Sequence, residues 1–220
     1  GKGFVVASMQ TGPKGGQFAV DAITSFLNDQ HPGVAHLQEL RTPRHKIARL
    51  KKRIKRANSD YAMYTSVAKD HNKVAGSHLG VATLVRIDLT ESIRVVSLPE
   101  LVDCRVLALL IGGHGVATKT LHVNVYQHVN DIDNYDEMRA VLDNIYTLVC
   151  WANSLGHNMI LSGDLNATLN DMLRINYASG QSLGSGDRLL RDLFAATNAI
   201  AAKGSDLITW KSKSGRQQAT

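Results

Sequence analysis

Apolar residues along the chain follow two periods, one typical of strands and one typical of helices. Short apolar runs bounded by turn residues predict buried strands, namely Phe4–Met9, Val34–Leu37, Tyr61–Thr65, Gly80–Ile87, Ile93–Leu98, Arg105–Gly112, Thr120–Tyr126, Met159–Leu161 and Leu207–Trp210. Apolar residues three or four positions apart predict helices over Phe18–Leu27, 41–56, Asp136–Ala152 and Asp187–Thr197. The order of these elements predicts one α/β domain with mixed sheets over residues 1–220.

Small residues indicate where two of these strands end. The pair Gly112-Gly113 predicts a hairpin turn before the strand Thr120–Tyr126. Ser162 and Gly163 predict the end of the strand Met159–Leu161. The last strand is followed by a basic polar tail with no strand to pair with it, so we expect the C-terminal end of the domain to be incomplete.

The composition is that of an ordinary globular protein, with 44% hydrophobic and 20% charged residues. No apolar run approaches the roughly 20 residues that span a bilayer, so we expect no membrane partner. Cys104 and Cys150 lie far apart without metal-ligand spacing, which favours a reduced, intracellular compartment. The start of the sequence has no signal-peptide pattern and no initiator Met, which predicts a domain taken from a longer polypeptide.

The positive charge is concentrated near the start of the chain. Residues 1–60 hold 11 Lys and Arg against 4 Asp and Glu, although the net charge of the whole chain is only +6. Nine of these cations lie in the segment 41–56, which has no acidic residue and whose apolar stripe is Ile47, Leu50 and Ile54. The segment is either a solvated face or a contact for nucleic-acid phosphates, and its lack of acids favours the contact. The candidate DNA contacts are Arg49, Lys52, Arg53 and Arg56, extended by Lys211 and Lys213.

Polar residues follow or end three of the predicted strands, and these residues are Gln38 and Glu39, Asn124 and Tyr126, and Asp164 and Asn166. Carboxylate and amide oxygens suit Mg²⁺, which takes one or two protein carboxylates and keeps several waters. A phenol and an aspartate could transfer a proton and stabilise developing negative charge. The alternative is three unrelated turn caps, with Asp164 or Asn166 accepting local backbone N–H groups.

Four segments resemble, in order and rough spacing, the motifs of the endonuclease/exonuclease/phosphatase superfamily, which includes apurinic endonucleases and DNase I. These segments are "LQEL", "GVATLVR", "NVYQ" and "ILSGDLNAT". The segments "DRLLRDLFAATNAI" and "LITW" resemble the endonuclease domains of non-LTR retrotransposons. The resemblance implies two mixed sheets packed face to face with flanking helices, a four-layer α/β sandwich.

The resemblance also implies a catalytic site with a divalent cation. It identifies Glu39 as the metal-binding glutamate and Tyr126 as the tyrosine near the scissile phosphate. Asp164 is similar to the aspartate that positions or deprotonates the attacking water, and Asn166 to the amide that contacts the phosphate. The implied cofactor is Mg²⁺, with Mn²⁺ as a substitute, and the implied partner is DNA in the nucleus. We expect these four side chains to share one cleft.

The sequence departs from the superfamily pattern at three places. Gln10, the candidate metal-site neighbour, stands where the family has Asn and is one methylene longer. His128 stands where the family has Pro. The late strand and the Asp-His pair that supplies the family's catalytic histidine are absent from the 220 residues. We therefore expect this chain to bind DNA but nick it poorly until residues beyond Thr220 are added.

Three functions fit these observations. The first is a Mg²⁺-dependent DNA endonuclease domain of a longer polypeptide that carries a reverse transcriptase. The second is a phosphoesterase acting on lipid or inositol phosphates, which the basic first quarter argues against. The third is a nucleic-acid-binding module with degenerate catalysis, which Gln10 and the missing Asp-His pair favour. We expect the first.

Overall fold

The structure is a computed structural model that describes residues 5–11, 17–67, 80–98, 101–102, 104–113, 118–128, 132–167, 185–200, 210–211 and 217–218. Its strands are β1 Val6–Gln10, β2 Val34–Gln38, β3 Tyr61–Ser66, β4 Val81–Arg86, β5 Thr90–Val96, β6 Val106–Gly113, β7 Thr120–Tyr126, β8 Asn158–Asp164, β9 Trp210–Lys211 and β10 Gln217–Gln218. Its helices are α1 Gln17–Gln30, α2 Arg44–Ala57, α3 Tyr135–Ser154 and α4 Ser185–Thr197. The chain divides into two compact units, one of Gly1–Tyr126 with Trp151–Gly163 and one of Gln127–Cys150 with Asp164–Thr220.

The first sheet has the strand order β1-β2-β4-β3 and carries two helices on one face. Strand β2 pairs in parallel with β1 and antiparallel with β4. Helix α2 begins directly after Pro43, whose fixed φ suits a helix start, and ends with Lys55 and Arg56 near its negative C-terminal end. Its apolar stripe packs with α1 against the sheet, and the shared core includes Ile23, Leu27, Ile47, Leu50, Ile54, Leu37 and Leu84.

The second sheet has the order β5-β6-β7-β8 and packs on the other face of the first sheet. Strands β5, β6 and β7 are antiparallel. The core between the two sheets contains Val34, Val81 and Val85 from the first and Leu107, Leu109 and Ile111 from the second. The α/β fold of two sheets packed face to face is therefore confirmed. No helix in the described part of the chain is long and apolar enough to cross a bilayer.

The helices and most strands lie where the sequence predicts them, with shifts of one to three residues at many ends. Strands β6 and β7 are antiparallel, as the hairpin prediction requires. The predicted turn at Gly112-Gly113 is wrong, because both glycines belong to β6 and pair with Ser92 and Thr90 of β5. A Cβ on Gly112 would lie 2.7 Å from the Ser92 hydroxyl oxygen. A larger residue at Gly112 would require the Ser92 side chain to move, so the glycine reflects a close neighbouring strand and not a turn.

The end of the strand at Ser162 and Gly163 is also a wrong prediction, because β8 continues through both residues to Asp164. Gly163 has a φ of 134°, and a Cβ there would overlap the backbone carbonyl of Val125 in β7. Only glycine allows this conformation and this close approach.

The C-terminal tail does contain a partner for the last predicted strand. Residues 201–209 lie outside the described residues, and β9 begins at Trp210. It pairs antiparallel with β10, so the prediction of an unpaired strand is wrong. The partner residues, Gln217 and Gln218, lie in the same polar tail, and their sequence has no apolar pattern that predicts a strand.

A layer of buried polar side chains lies between the two sheets. The Gln38 amide Nε2 donates to the Asn124 Oδ1 at 2.8 Å, and both side chains are fully buried. Asn124 Nδ2 donates to the carbonyls of Ala82 at 2.7 Å and Leu37 at 3.2 Å. The Ser8 hydroxyl donates to Gln38 Oε1 at 3.1 Å. This amide bridge therefore joins three strands of the first sheet to β7 of the second.

Two histidines lie deeper in the same layer. The rings of His36 and His122 stack with centroids 5.9 Å apart, and His36 Nδ1 lies 3.4 Å from the Thr83 hydroxyl. Burial, with a smaller contribution from His122, lowers the pKa of His36 to about 3. Burial likewise lowers the pKa of His122 to about 4. Both rings are therefore neutral in the folded protein at physiological pH.

The substitution Asn124→Leu should destabilise the fold. It removes the acceptor of the Gln38 amide inside a dry core, and an unsatisfied buried donor is costly. We expect the free energy of unfolding in urea to fall by about 2–4 kcal/mol. The control Asn153→Leu changes an exposed asparagine near the end of α3, for which the expected change is within about 0.5 kcal/mol. Equal stability of the two variants would contradict the structural role of the bridge.

The histidine pair should make the protein sensitive to acid. The pKa values of both groups are lower in the folded state than in the unfolded chain, so the unfolded state binds more protons as the pH falls below about 6.5. Stability should be complete above that pH and should decrease by about 2 kcal/mol per histidine between pH 7 and pH 5.

Urea unfolding at several pH values measures this loss. The variant His122→Gln should remove roughly half of the pH dependence, whereas a control at the exposed His45, His45→Gln, should preserve it. A pH dependence that His122→Gln leaves unchanged would contradict the prediction.

Candidate active site

Glu39 follows β2 directly and is held in an unusual backbone conformation. Its φ is 53°, in the left-handed region that costs a non-glycine residue about 1–2 kcal/mol. The Thr11 hydroxyl donates to the Glu39 carbonyl at 2.6 Å, and the Leu40 N–H donates to the Gly80 carbonyl at 3.0 Å. Neighbouring strands thus hold the strained residue on both sides, which is typical of functional positions.

The Glu39 carboxylate is paired with a phenol from the second sheet. The Tyr126 hydroxyl donates to Glu39 Oε1 at 2.8 Å, and the Arg41 guanidinium lies 3.3 Å from the same oxygen. The Glu39 and Tyr126 side chains are both partly buried. The Glu39–Tyr126 pair lies directly beyond the Gln38–Asn124 bridge, because each residue of the pair follows a bridge residue by one or two positions.

Arg105 fixes the position of the Tyr126 side chain. Its guanidinium lies over the Tyr126 ring, 5.0 Å from the centroid, and its Nη1 donates to the Tyr126 carbonyl at 3.1 Å. A cation over a phenol ring is worth about 0.5–2 kcal/mol, depending on how far it is desolvated. Arg105 is therefore a positioning residue for the phenol.

Gln10 lies at the same end of the first sheet as Glu39. It is the last residue of β1, and it stands opposite Gln38 in the parallel pairing with β2. Its side chain is exposed. The structure thus places the candidate metal-site neighbour one strand away from the candidate metal-binding glutamate.

The side chains at the Glu39 end of the first sheet suit a Mg²⁺ ion that is held by few protein ligands. Among the described residues no cluster of three or more His, Cys, Asp or Glu could hold a metal. Glu39 Oε2 accepts no hydrogen bond from the described part of the chain, whereas Oε1 accepts from Tyr126 and Arg41. One carboxylate is enough for Mg²⁺ when water and a substrate phosphate complete the shell. Glu39 would hold the ion, with Gln10 as a neighbour.

Asp164 and Asn166 form a local structure in the second unit. Asp164 Oδ1 accepts the Asn166 backbone N–H at 3.0 Å, which is the Asx turn that the sequence left open as an alternative. The Asn166 amide Nδ2 donates to the Gln127 carbonyl at 2.9 Å, and the Gln127 N–H donates to the Asp164 carbonyl at 2.8 Å. Asn166 also has a left-handed φ of 47°. The turn therefore fixes both polar side chains.

The structure brings the predicted site residues together in two pairs. Glu39 and Tyr126 are in direct contact in the first unit, and Asp164 and Asn166 are in direct contact in the second. Gln127, which contacts both members of the second pair, follows Tyr126 directly in the sequence. That all four residues share one cleft stays a prediction.

The predicted DNA contacts on α2 extend away from Glu39. Strands β2 and β3 both run antiparallel to β4, so α2, which joins them, returns from the Glu39 end of the sheet to the opposite end. Arg49, Lys52 and Arg56 are exposed and Arg53 is partly exposed. The side chain of Lys211 and the whole of Lys213 lie outside the described residues.

Sequence reasoning did not assign Arg41 or Arg105 a place beside Glu39 and Tyr126. Arg41 looked like the first member of a basic run, and Arg105 like the start of an apolar strand. The spacing contained one usable signal, because a lone arginine before a strand buried on both faces must place its charge at the end of that strand. Nothing in the spacing indicated that Arg41 would turn back onto Glu39.

Comparisons with known proteins identify similar structures but no similar sequences. No model of a known protein family matches the chain, and no curated protein matches it. The AP endonuclease LMAP from Leishmania major is 19% identical with a TM-score of 0.61, over 82% of this chain and 62% of that one. An AP endonuclease from Archaeoglobus fulgidus is 16% identical with a TM-score of 0.54, over 81% of this chain and 65% of that one.

A truncated TDP2 from Caenorhabditis elegans is 19% identical with a TM-score of 0.47, over 67% of this chain and 54% of that one. This chain thus spans less than two thirds of the length of each of these proteins. The resemblance to the superfamily is confirmed for the fold, whereas closeness to the retrotransposon branch stays a prediction. The chain has the fold of the AP endonucleases.

Proposed function

We propose that the chain is a Mg²⁺-dependent DNA endonuclease domain that hydrolyses a phosphodiester bond. The observation that carries the proposal is the contact between the Glu39 carboxylate and the Tyr126 hydroxyl at one end of two packed sheets. Two further features support it. Glu39 has a strained backbone held by neighbouring strands, and the fold is shared with two AP endonucleases.

Glu39 and Tyr126 would act on the scissile phosphate itself. The bound Mg²⁺ would supply positive charge for the phosphate oxygens that become more negative in the transition state. Glu39 would hold the ion through its carboxylate, and the Tyr126 hydroxyl would donate to a non-bridging phosphate oxygen after leaving Glu39 Oε1. Arg105 keeps the phenol in place and so lowers the cost of ordering it during the reaction.

Asp164 and Asn166 would act on the attacking water and on the phosphate. Asp164 would orient the water and accept its proton as the oxygen bonds to phosphorus. The Asn166 amide would contact a phosphate oxygen after leaving the Gln127 carbonyl. The turn that holds Asp164 supports its assignment, because a preorganised acceptor needs no reordering in the transition state.

The biological role that we propose is the nicking of target DNA for a non-LTR retrotransposon. Its support is the sequence of α4 and its flanks, "DRLLRDLFAATNAI" and "LITW". In that role the domain would belong to a longer nuclear polypeptide that includes a reverse transcriptase.

A second candidate is a nucleic-acid-binding module with degenerate catalysis. The observation that favours it is the Arg41 guanidinium 3.3 Å from Glu39, since a fixed cation there opposes a second cation on the same carboxylate. Gln10 in place of the family's Asn has the same implication. DNA binding without any Mg²⁺-dependent nicking by a longer polypeptide that contains this chain would support this candidate.

The variant Glu39→Gln tests the proposed endonuclease in a plasmid-nicking assay. It keeps the size of the side chain and an acceptor for Tyr126 but removes the negative charge that would bind Mg²⁺. We expect the Mg²⁺-dependent rate to fall by about 10²–10³, as it does when one electrostatic contact is removed from an active site. Asp164→Ala should reduce the rate by at least as much.

The matched control is Glu91→Gln, which neutralises an exposed glutamate on β5 and should leave the nicking rate unchanged. The assay should be run on this chain and on a longer polypeptide that contains it. Equal rates for Glu39→Gln and Glu91→Gln would contradict the assignment of Glu39.

A further inference from the structure

We propose that the exposed face of α2 is a second nucleic-acid-binding surface, separate from the Glu39–Tyr126 site. This basic face is formed by the cations that point away from the buried stripe of the helix, namely Lys46, Arg49, Lys52, Arg53, Lys55 and Arg56. The inference goes beyond the proposed hydrolysis and does not depend on it, because phosphate contacts can hold a nucleic acid without cleaving it.

The burial pattern shows that the basic face is not needed for folding. Ile47, Leu50 and Ile54 fill one side of α2 and belong to the core, whereas Arg49, Lys52 and Arg56 recur on the opposite side at every third or fourth position. Like charges at this spacing repel one another and destabilise a helix slightly. A face that costs stability and leaves Arg49, Lys52 and Arg56 exposed suits an external polyanion.

The cations of the basic face have no acidic partners in the described part of the chain. Each of the three ion pairs found there lies elsewhere, between Arg41 and Glu39, Arg86 and Asp88, and Arg139 and Asp143. The described cations of the face form no ion pair, and of the described acids only Asp21 lies beside Arg53 and Arg56, so an anionic ligand would meet a surface of net positive charge.

The direction of α2 separates the basic face from the candidate active site. Asn58, just after the helix, donates to Asn28 near the end of α1, and the Tyr61 hydroxyl donates to the carbonyl of Pro32 just before β2. The last turn of α2 therefore lies at the end of the sheet where β2 begins, and Glu39 lies where β2 ends. Arg56 is about 18 Å along the helix axis from Arg44, the residue nearest to that end.

An open, shallow groove lies at this far end of the surface. It has a volume of about 510 Å³ and lies between α1 and α2, lined by Val20, Asp21, Thr24, Arg53, Arg56 and Ala57. Both arginines line this groove, and the planar donors of a guanidinium group can hold phosphate oxygens. The Asp21 carboxylate also lines the groove, so it restricts where a phosphate could bind.

The spacing of the cations favours a nucleic-acid backbone over an acidic peptide. Arg49 and Arg56 are about 10 Å apart along the axis, with Lys52 and Arg53 between them. A duplex presents one phosphate per strand for about every 3.4 Å of its axis, so several phosphates would lie along this face at once. An acidic peptide offers that density only in an unbroken run of carboxylates.

The test measures the salt dependence of binding to a 30-base-pair duplex. The variant in which Arg49, Lys52, Arg53 and Arg56 are all replaced by Ala should bind more weakly to every sequence. The slope of log affinity against log salt should become shallower by about 3–4, one for each lost phosphate contact. Changing the three arginines to lysine should preserve the slope, because a backbone contact needs charge more than geometry.

The matched control removes four exposed cations elsewhere, with Arg94, Lys119, Arg139 and Arg188 replaced by Ala. An unchanged slope in the α2 variant, or an equal change in the control, would overturn the proposal. Tighter α2-dependent binding to polyglutamate than to DNA would also overturn it, in favour of an acidic protein partner. The experiment measures binding and not cleavage. If the protein shows the predicted salt dependence but never nicks DNA, only the proposed endonuclease function is contradicted.

Discussion

The hydrogen bond between the buried amides of Gln38 and Asn124 is the constraint on which the geometry of the candidate site depends. It joins β2 of the first sheet to β7 of the second inside a dry core, where slippage would leave a donor and an acceptor unsatisfied. The bridge therefore fixes the position of β2 relative to β7. Glu39 and Tyr126, which follow these amides by one and two residues, meet as a consequence. The stacked rings of His36 and His122 precede the two amides by two residues on the same strands, so they meet in the same alignment of β2 and β7.

Much of the fold could be predicted from the sequence because its helices are amphipathic and its strands are short apolar runs. The stripe of Ile47, Leu50 and Ile54 gave the buried side of α2 directly. The errors fell on glycines, where the sequence does not distinguish a turn from a close contact. Gly163 is demanded by the backbone of a neighbouring strand and Gly112 lies close to the Ser92 side chain on another, and local turn chemistry cannot reveal these neighbours.

The candidate site was predictable in its residue types and less so in its contacts. Polar residues at strand ends indicated Glu39, Tyr126, Asp164 and Asn166, and the structure joins them into two hydrogen-bonded pairs. Asn124 carried the same signal, but it bridges the sheets instead of facing a ligand. The contribution of Arg105 depends on the distance from its guanidinium to a ring 21 residues away, which no sequence pattern encodes.

The central claim is that the Glu39–Tyr126 pair at the end of the two sheets binds a divalent cation. Calorimetric titration with Mg²⁺, in the presence of a short duplex that supplies phosphate oxygens, tests it most directly. The account predicts saturable binding that is lost in Glu39→Gln and weakened in Tyr126→Phe, because the phenol orients the carboxylate. Equal Mg²⁺ affinity in the wild type and in Glu39→Gln would contradict it.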